Sequence, residues 1–215
     1  MTKDSIKYSF SFTGASALIA ETLVIAEEYE RLGDWSAVKE SLVKNNLLNK
    51  VKQTTFKREF SEIKKRLSLL TPEQLRLMIH GGPDNAKSMI LLALAKSYSF
   101  LRDFIDEVLR NKYLIFDRVL AETDYIKFFN QKSLTHTELE SITEITAKKV
   151  KQVVFKLLEQ VGLISQTKNG IIFKPILNKE VAEAIINDDC GLLSAFLYST
   201  EEIKGLVQKQ KNVKE

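Results

Sequence analysis

Residues 143–174, TEITAKKVKQVVFKLLEQVGLISQTKNGIIFK, decide how the rest of the chain is read. Residues 143–146 are rich in side chains that cap helices, and residues 147–161 then follow a helical period. With about 100° between successive residues, Val150, Val153, Val154, Leu157, Leu158 and Val161 fall on one arc, the core side. The opposite arc holds Lys148, Gln152, Lys156 and Glu159, flanked by Lys149. After Gly162, a residue free to take the left-handed conformation, the period switches from helix to strand. Residues 163–167 and 171–174 are β-prone runs, and Lys168-Asn169-Gly170 between them is a strong hairpin signal.

Immediately upstream, Thr123-Asp124 opens a short helix with Tyr125, Phe128 and Phe129, and residues 136–140 form another short helical piece. A short helix, a tight turn, a longer basic helix and a hairpin occur in the order of a winged helix-turn-helix, a nucleic-acid-binding module. In that reading Thr146 and Lys148 reach deepest into the groove. Lys148, Lys149 and Lys156 meet phosphates, and Gln152 offers a bidentate contact to adenine. Lys168 and Asn169, at the hairpin tip, touch a neighbouring backbone as a wing does. The same arrangement also serves protein contacts in other settings, so charge has to be weighed separately.

The preceding chain is helical throughout. An amphipathic helix is expected over residues 15–32 with Gly33 as its stop, then a helix capped by Asp34 or Ser36 and running to about Leu48. Thr54 or Thr55 starts a basic helix with Phe56, Phe60, Ile63 and Leu67 on one side and Lys57, Arg58, Lys64, Lys65 and Arg66 on the other. Thr71-Pro72-Glu73-Gln74 opens the next helix, which ends at Gly81-Gly82. From Pro83-Asp84 a further helix carries Met89, Ile90, Leu91, Leu92, Leu94 and Ala95 around its whole axis, which makes it central. A last helix covers residues 100–113. The expected fold is mainly α, with a helical domain over 1–117, the winged helix-turn-helix with its one β-hairpin over 118–177, and C-terminal helices over 178–215. The charged end, 204–215, is expected to fray.

Composition supports this class. Only 8 glycines and 3 prolines occur in 215 residues, too few turn-formers for a sandwich or barrel. No apolar run approaches the ~18 residues of a membrane span, and residues 8–12 do not read as a signal peptide. The single cysteine, Cys190, excludes an internal disulfide and points to a reducing, cytoplasmic setting. The net charge of +4 is unevenly held. Residues 44–66 carry eight basic and two acidic groups, and residues 143–176 carry six and two, while the remainder is acidic. Such segregation is the electrostatic footprint of a polyanion binder.

The same chain carries an ordered series of further residues. Thr13-Gly14 with Leu18 and Glu21, Asp34-Trp35 with Asn46 and Leu48, and Arg58 with Glu62-Ile63 and Arg66-Leu67 come first. The run from Phe104 to Val108 with Arg110 and Lys112-Tyr113, then Asp124-Tyr125 with Phe128-Phe129, continues it. Glu138-Leu139, Thr146, Lys149, Gln152, Leu158, Glu159 and Gly162-Leu163-Ile164 complete it. In this order and spacing, over roughly residues 8–177, the chain resembles the BrxA family of the BREX bacteriophage-exclusion systems of bacteria and archaea. The resemblance implies a non-enzymatic, helical DNA-binding component of an anti-phage system, with other BREX proteins as partners. The family has also been likened to the RNA-binding protein NusB and labelled an inner-membrane protein; nothing in this sequence supports the membrane label.

Catalytic and metal chemistry find no foothold. His80, His136 and Cys190 are too far apart for ligand spacing, and there is no phosphate-binding glycine loop or nucleophile elbow. His80 reads as a helix-end residue, His136 as a cap or surface residue, Cys190 as a small buried hydrophobe and Trp35 as packing between the first two helices. Glu27-Glu28 and Asp188-Asp189 point different ways on their helices. No cofactor is expected. Duplex DNA is the leading partner, contacted through Thr146, Lys148, Lys149, Gln152, Lys156, Lys168 and Asn169, with Lys57, Arg58, Lys64 and Lys65 adding backbone contacts. RNA binding and a protein scaffold are the alternatives.

Overall fold

In the computed structural model, which describes residues 7–48 and 52–214, the helix expected to be central is central. α5 (Gly82–Ser97) buries every residue from Met89 to Ala95, so over these two turns no side of it faces water. A helix without a polar stripe has to be wrapped. Around it lie α1 (Ile19–Leu32), α3 (Gln53–Leu67), α4 (Pro72–His80) and α6 (Ser99–Phe104), with α2 (Trp35–Lys44) against α1. The expected start of α4 is a capping box: Thr71 Oγ1 accepts from the Gln74 N–H, and Gln74 Oε1 accepts from the Thr71 N–H. Asp34 rather than Ser36 caps α2, accepting from the Ala37 N–H at 2.8 Å, and α2 gives way to turns after Lys44 instead of running to Leu48. α6 passes through a wide π-helical turn (Ile105–Arg110) into α7 (Asn111–Leu114), so the single expected helix over 100–113 is present with one loosened stretch inside it.

Two expectations about the N-terminal half fail for one reason. The first helix begins at Ile19, not at residue 15; residues 11–14 form a single 3₁₀ turn and Leu18 is left-handed at φ 51°. Arg66, expected on the open face of α3, is 2% exposed. Its guanidinium donates to the carbonyls of Ser16 at 2.8 Å and Ala15 at 3.1 Å, and to the Tyr98 hydroxyl at 2.9 Å. A buried guanidinium needs its donors met, and the carbonyls of residues 15–17 together with the Tyr98 hydroxyl accept four hydrogen bonds from it. The segment stays open because the arginine uses the carbonyls that a helix would use.

The C-terminal half opens with β1 (Val119–Leu120), α8 (Glu122–Ser133), α9 (Thr137–Glu140) and α10 (Glu144–Gln160), followed by β2 (Gly170–Ile171). The inner arc of α10 is buried as expected, with Phe155 added to it. α10 starts three residues earlier than the periodicity suggests, because the Thr143 hydroxyl accepts from the Thr146 N–H. The expected hairpin forms: Ser165 N–H donates to Ile171 O at 3.0 Å and Phe173 N–H to Leu163 O at 2.9 Å, while Ile164 faces Ile172. Its turn holds Asn169 at φ 51°, a conformation asparagine tolerates. β1, not expected from the sequence, pairs antiparallel with β2, Val119 opposite Ile171 and Leu120 opposite Gly170.

α11 (Lys179–Asp189) and a 3₁₀ segment (Cys190–Phe196) lead into α12 (Thr200–Lys214). The end expected to fray is therefore helical through Lys214, with Leu206 packed on the core and Gln210 donating to Asn187 at 2.9 Å. Lys96 pairs with Asp188 at 2.8 Å and Gln74 donates to the Ala184 carbonyl, tying α11 to α5 and α4. The buried apolar residues form one continuous cluster from Tyr8 to Leu197. His136, expected as a cap or surface residue, holds the N-cap position of α9 but is not at the surface: it is 8% exposed, its ring stacked on Tyr8 at 3.8 Å. Cys190 is half-buried rather than buried. Lys50 and Glu215, counted in the charge pattern, lie outside the described residues.

Candidate nucleic-acid interface

α10 presents what its sequence promised. A 17-residue helix with Val150, Val154, Leu157 and Leu158 at 0–1% exposure cannot rotate without uncovering them, so its outer arc is fixed. Thr146, Lys148, Lys149, Gln152 and Lys156 are all exposed on that arc. Lys148 forms an i,i+4 pair with Glu144 at 2.7 Å, whereas Lys149 and Lys156 take part in no ion pair among the described residues. Lys151, on the arc's edge, is paired with Glu122 of α8. Gly162 at φ 81° turns the chain from α10 into the hairpin. Lys168 and Asn169 stand exposed at its tip.

The hairpin and α10 enclose a groove of about 530 Å³, lined by Gln152, Lys156, Glu159, Thr167, Lys168 and Asn169, with Phe155 at its base and the Glu122–Lys151 pair at one end. On the opposite flank of α10 runs a second groove, about 390 Å³. There Lys149, Gln152 and Lys156 face residues 13–16, Leu18 and Glu59 of α3. Gln152 and Lys156 thus form the crest between two concavities. Thr167 and Lys151 were not singled out in the sequence, since neither has a periodic or motif signal.

The basic side chains of α3 separate into two stripes. Arg58 lies against Gly14, where an added Cβ would stand 3.1 Å from Arg58 Cδ. One turn and three residues on, Lys65 reaches Ser11 Oγ at 3.4 Å and sits 4.7 Å over the Tyr98 ring. These two border the segment that also borders α10. Lys57 and Lys64 lie on the other flank, Lys64 over the Trp35 ring at 5.6 Å. Trp35 itself stacks on Tyr29 at 4.0 Å, in its expected packing role. The four basic residues expected to act together are therefore divided, and only Arg58 and Lys65 adjoin the segment beside the α10 groove.

What holds that segment is a polar network. Arg66 binds its carbonyls, and Gln160 Oε1, from the last turn of α10, accepts from the Ala17 N–H at 3.0 Å. Tyr98 donates to Glu62 while accepting from Arg66. Burial pushes the Tyr98 hydroxyl up to about 12, with Arg66 pulling against the rise and Glu62 with it, so the phenol stays neutral across the physiological range. Residues 15–17 are thereby pinned to α3 on one side and to α10 on the other. Among the described residues no cluster of His, Cys, Asp or Glu is placed to hold a metal ion, and no helix is long and apolar enough to cross a membrane.

Comparison with known proteins follows the same span. A solved protein from Magnetospirillum magneticum, titled only as uncharacterized, matches with a TM-score of 0.77 at 21% identity over 89% of this chain and 98% of that one, a likeness of fold. BREX protein BrxA of Bacillus cereus is 28% identical over 149 residues, 69% of this chain and 74% of the relative. BREX protein BrxA of Escherichia coli is 24% identical over 76% of this chain and 77% of the relative. The BrxA family model matches residues 6–189, which include α3, residues 13–18, α10 and the hairpin, and so the chain belongs to the BrxA family.

Proposed function

We propose that this protein is a non-enzymatic, duplex-DNA-binding component of a BREX anti-phage system, reading DNA through a winged helix-turn-helix formed by α8–α10 and the hairpin. The observation that carries the reading is the outer arc of α10. Lys149 and Lys156 are exposed, belong to no ion pair among the described residues and stand beside Gln152, on a helix whose other side is locked into the core. Charges kept exposed and uncompensated are available to phosphates, and releasing the counterions of those phosphates is what drives such binding. Lys168 and Asn169 at the hairpin tip are positioned for an adjacent backbone. Membership of the family supplies the cellular context, since the relatives bear the name of BREX proteins.

A fluorescence-anisotropy titration of duplex DNA across a salt series tests it. The parent protein binds with a steep salt dependence. The triple variant Lys148→Ala, Lys149→Ala, Lys156→Ala binds weakly, its log–log slope shallower by roughly 2 to 3, at an unchanged melting temperature. No salt-sensitive binding by the parent removes the proposal, and equal binding by the triple variant moves the contact to the hairpin or α3. Competition by structured RNA of equal length that displaces duplex DNA would shift the substrate to RNA. Recovery of other BREX proteins only after nuclease-resistant pull-down, with no nucleic-acid binding, would leave a scaffold.

A further inference from the structure

The two basic helices are separated by some eighty residues of chain, yet one short segment touches both. Arg58 of α3 packs on Gly14, and Arg66 binds the carbonyls of Ala15 and Ser16. Gln160 of α10 accepts from the N–H of Ala17. Two consecutive peptide units, Ala15–Ser16 and Ser16–Ala17, are thus shared between α3 and α10, and a groove with Lys149 and Lys156 on one wall runs along them. Leu18, left-handed at φ 51°, ends the segment and turns the chain into α1. A non-glycine residue in that conformation persists only where its surroundings fix it. Here the fixing groups are the hydrogen bonds from Arg66 and to Gln160 on residues 15–17, immediately before it.

We propose that this segment is a spacer that sets the distance between Arg58 on α3 and Lys149 and Lys156 on α10, so that one duplex is held by both helices at once. Gln160 and Arg66 are its positioning residues. The proposal rests on the DNA-binding reading above. Glu59 lies on the groove floor and is 8% exposed, so the duplex backbone crosses from rim to rim and does not enter the groove. A contact to α10 and the hairpin alone needs about one turn of duplex, the length that a single recognition helix covers. Reaching Arg58 as well requires a longer one. The added contact is purely to phosphate, and so contributes affinity and salt dependence without sequence preference.

Anisotropy titrations of a one-turn and a two-turn duplex at several salt concentrations, with the parent, Gln160→Leu and Arg58→Ala, test the spacer. Gln160 touches no nucleic acid in this arrangement, and losing its one acceptor bond leaves the α10 core face intact. The parent binds the two-turn duplex more tightly than length alone allows, with a slope steeper by about 1. Gln160→Leu and Arg58→Ala both lose that gain and keep the parent's affinity for the one-turn duplex. Equal affinity of the parent for both duplexes, after correction for the number of sites, overturns the bridging. A gain retained by Gln160→Leu overturns the positioning role, and so does weakened binding of both duplexes, which marks Gln160 as structural. If the parent binds neither duplex, the DNA-binding reading itself has failed and the spacer falls with it. Gly14→Ala gives an independent check, because its new Cβ crowds Arg58 from 3.1 Å and reduces the two-turn gain alone.

Discussion

α3 carries five cationic side chains in 15 residues and α10 four in 17, and the fold uses the two sets in opposite ways. On α3, Arg66 is buried as a clamp for residues 15–16, Lys65 lies over Tyr98 and Lys64 over Trp35. Most of its cationic groups thus have a partner within the protein. On α10 the outer lysines stand away from the protein, and among the described residues only Lys148 of the three has an ion-pair partner. Charge counted along a sequence therefore overstates α3 and describes α10 fairly. A cation contributes to ligand binding only if folding has not already engaged it.

The strongest test of that contrast removes the clamp. Arg66→Met fills similar space but leaves the Ala15 and Ser16 carbonyls and the Tyr98 hydroxyl without their donor. Buried groups stripped of charge-assisted hydrogen bonds are expensive, so the variant is expected to lose about 3–5 kcal/mol of stability. The measurement is a urea unfolding midpoint at constant slope. A loss below about 1 kcal/mol would place Arg66 with the solvent-facing cations after all, and α3 would match α10.

The converse test is on the inner arc of α10. Leu157 is fully buried, so Leu157→Ala opens a cavity and is expected to cost about 3 kcal/mol. The same denaturation experiment reads it. Were the cost within about 0.5 kcal/mol, as for an ordinary surface site, α10 would be free to turn and its lysines would have no fixed direction.

Much of α10 was legible because every signal was local. The valine–leucine arc, Gly162 and the Asn-Gly turn each lie within a few residues of what they specify, and they agree with one another. The same holds for the capping box at Thr71 and for the all-apolar α5. What stayed hidden depends on partners distant in sequence. Lys64 and Arg66 lie roughly 90° to either side of the apolar stripe of α3, so periodicity treats them alike. One is exposed and the other buried because residues 15–17, fifty positions earlier, cover a single flank. β1 was missed since two residues give no alternation to read, and its pairing with Gly170-Ile171 spans fifty positions as well. His136 looked exposed because the ring that covers it belongs to Tyr8.

The finest distinction is within α10 itself, between two lysines that the sequence treats as equivalent. Lys148 pairs with Glu144 one turn earlier, both side chains more than two-thirds exposed, while Lys156 has Gln152 one turn earlier and no ion pair among the described residues. An exposed i,i+4 pair stabilises a helix by about 0.3–0.5 kcal/mol, so Lys148→Ala barely moves the melting temperature and Lys156→Ala moves it less. In DNA binding the order reverses. A phosphate approaching Lys148 competes with Glu144 and is repelled by it, whereas one approaching Lys156 meets an ammonium that no described carboxylate holds in an ion pair. Lys156→Ala is therefore expected to flatten the salt slope by about 0.9 and Lys148→Ala by clearly less. The variant Glu144→Gln should raise affinity and restore Lys148 to a full contributor. Equal slope changes for the two lysines, with no gain from Glu144→Gln, would mean that the pair dissolves on binding and that the whole N-terminal turn of α10 meets the backbone.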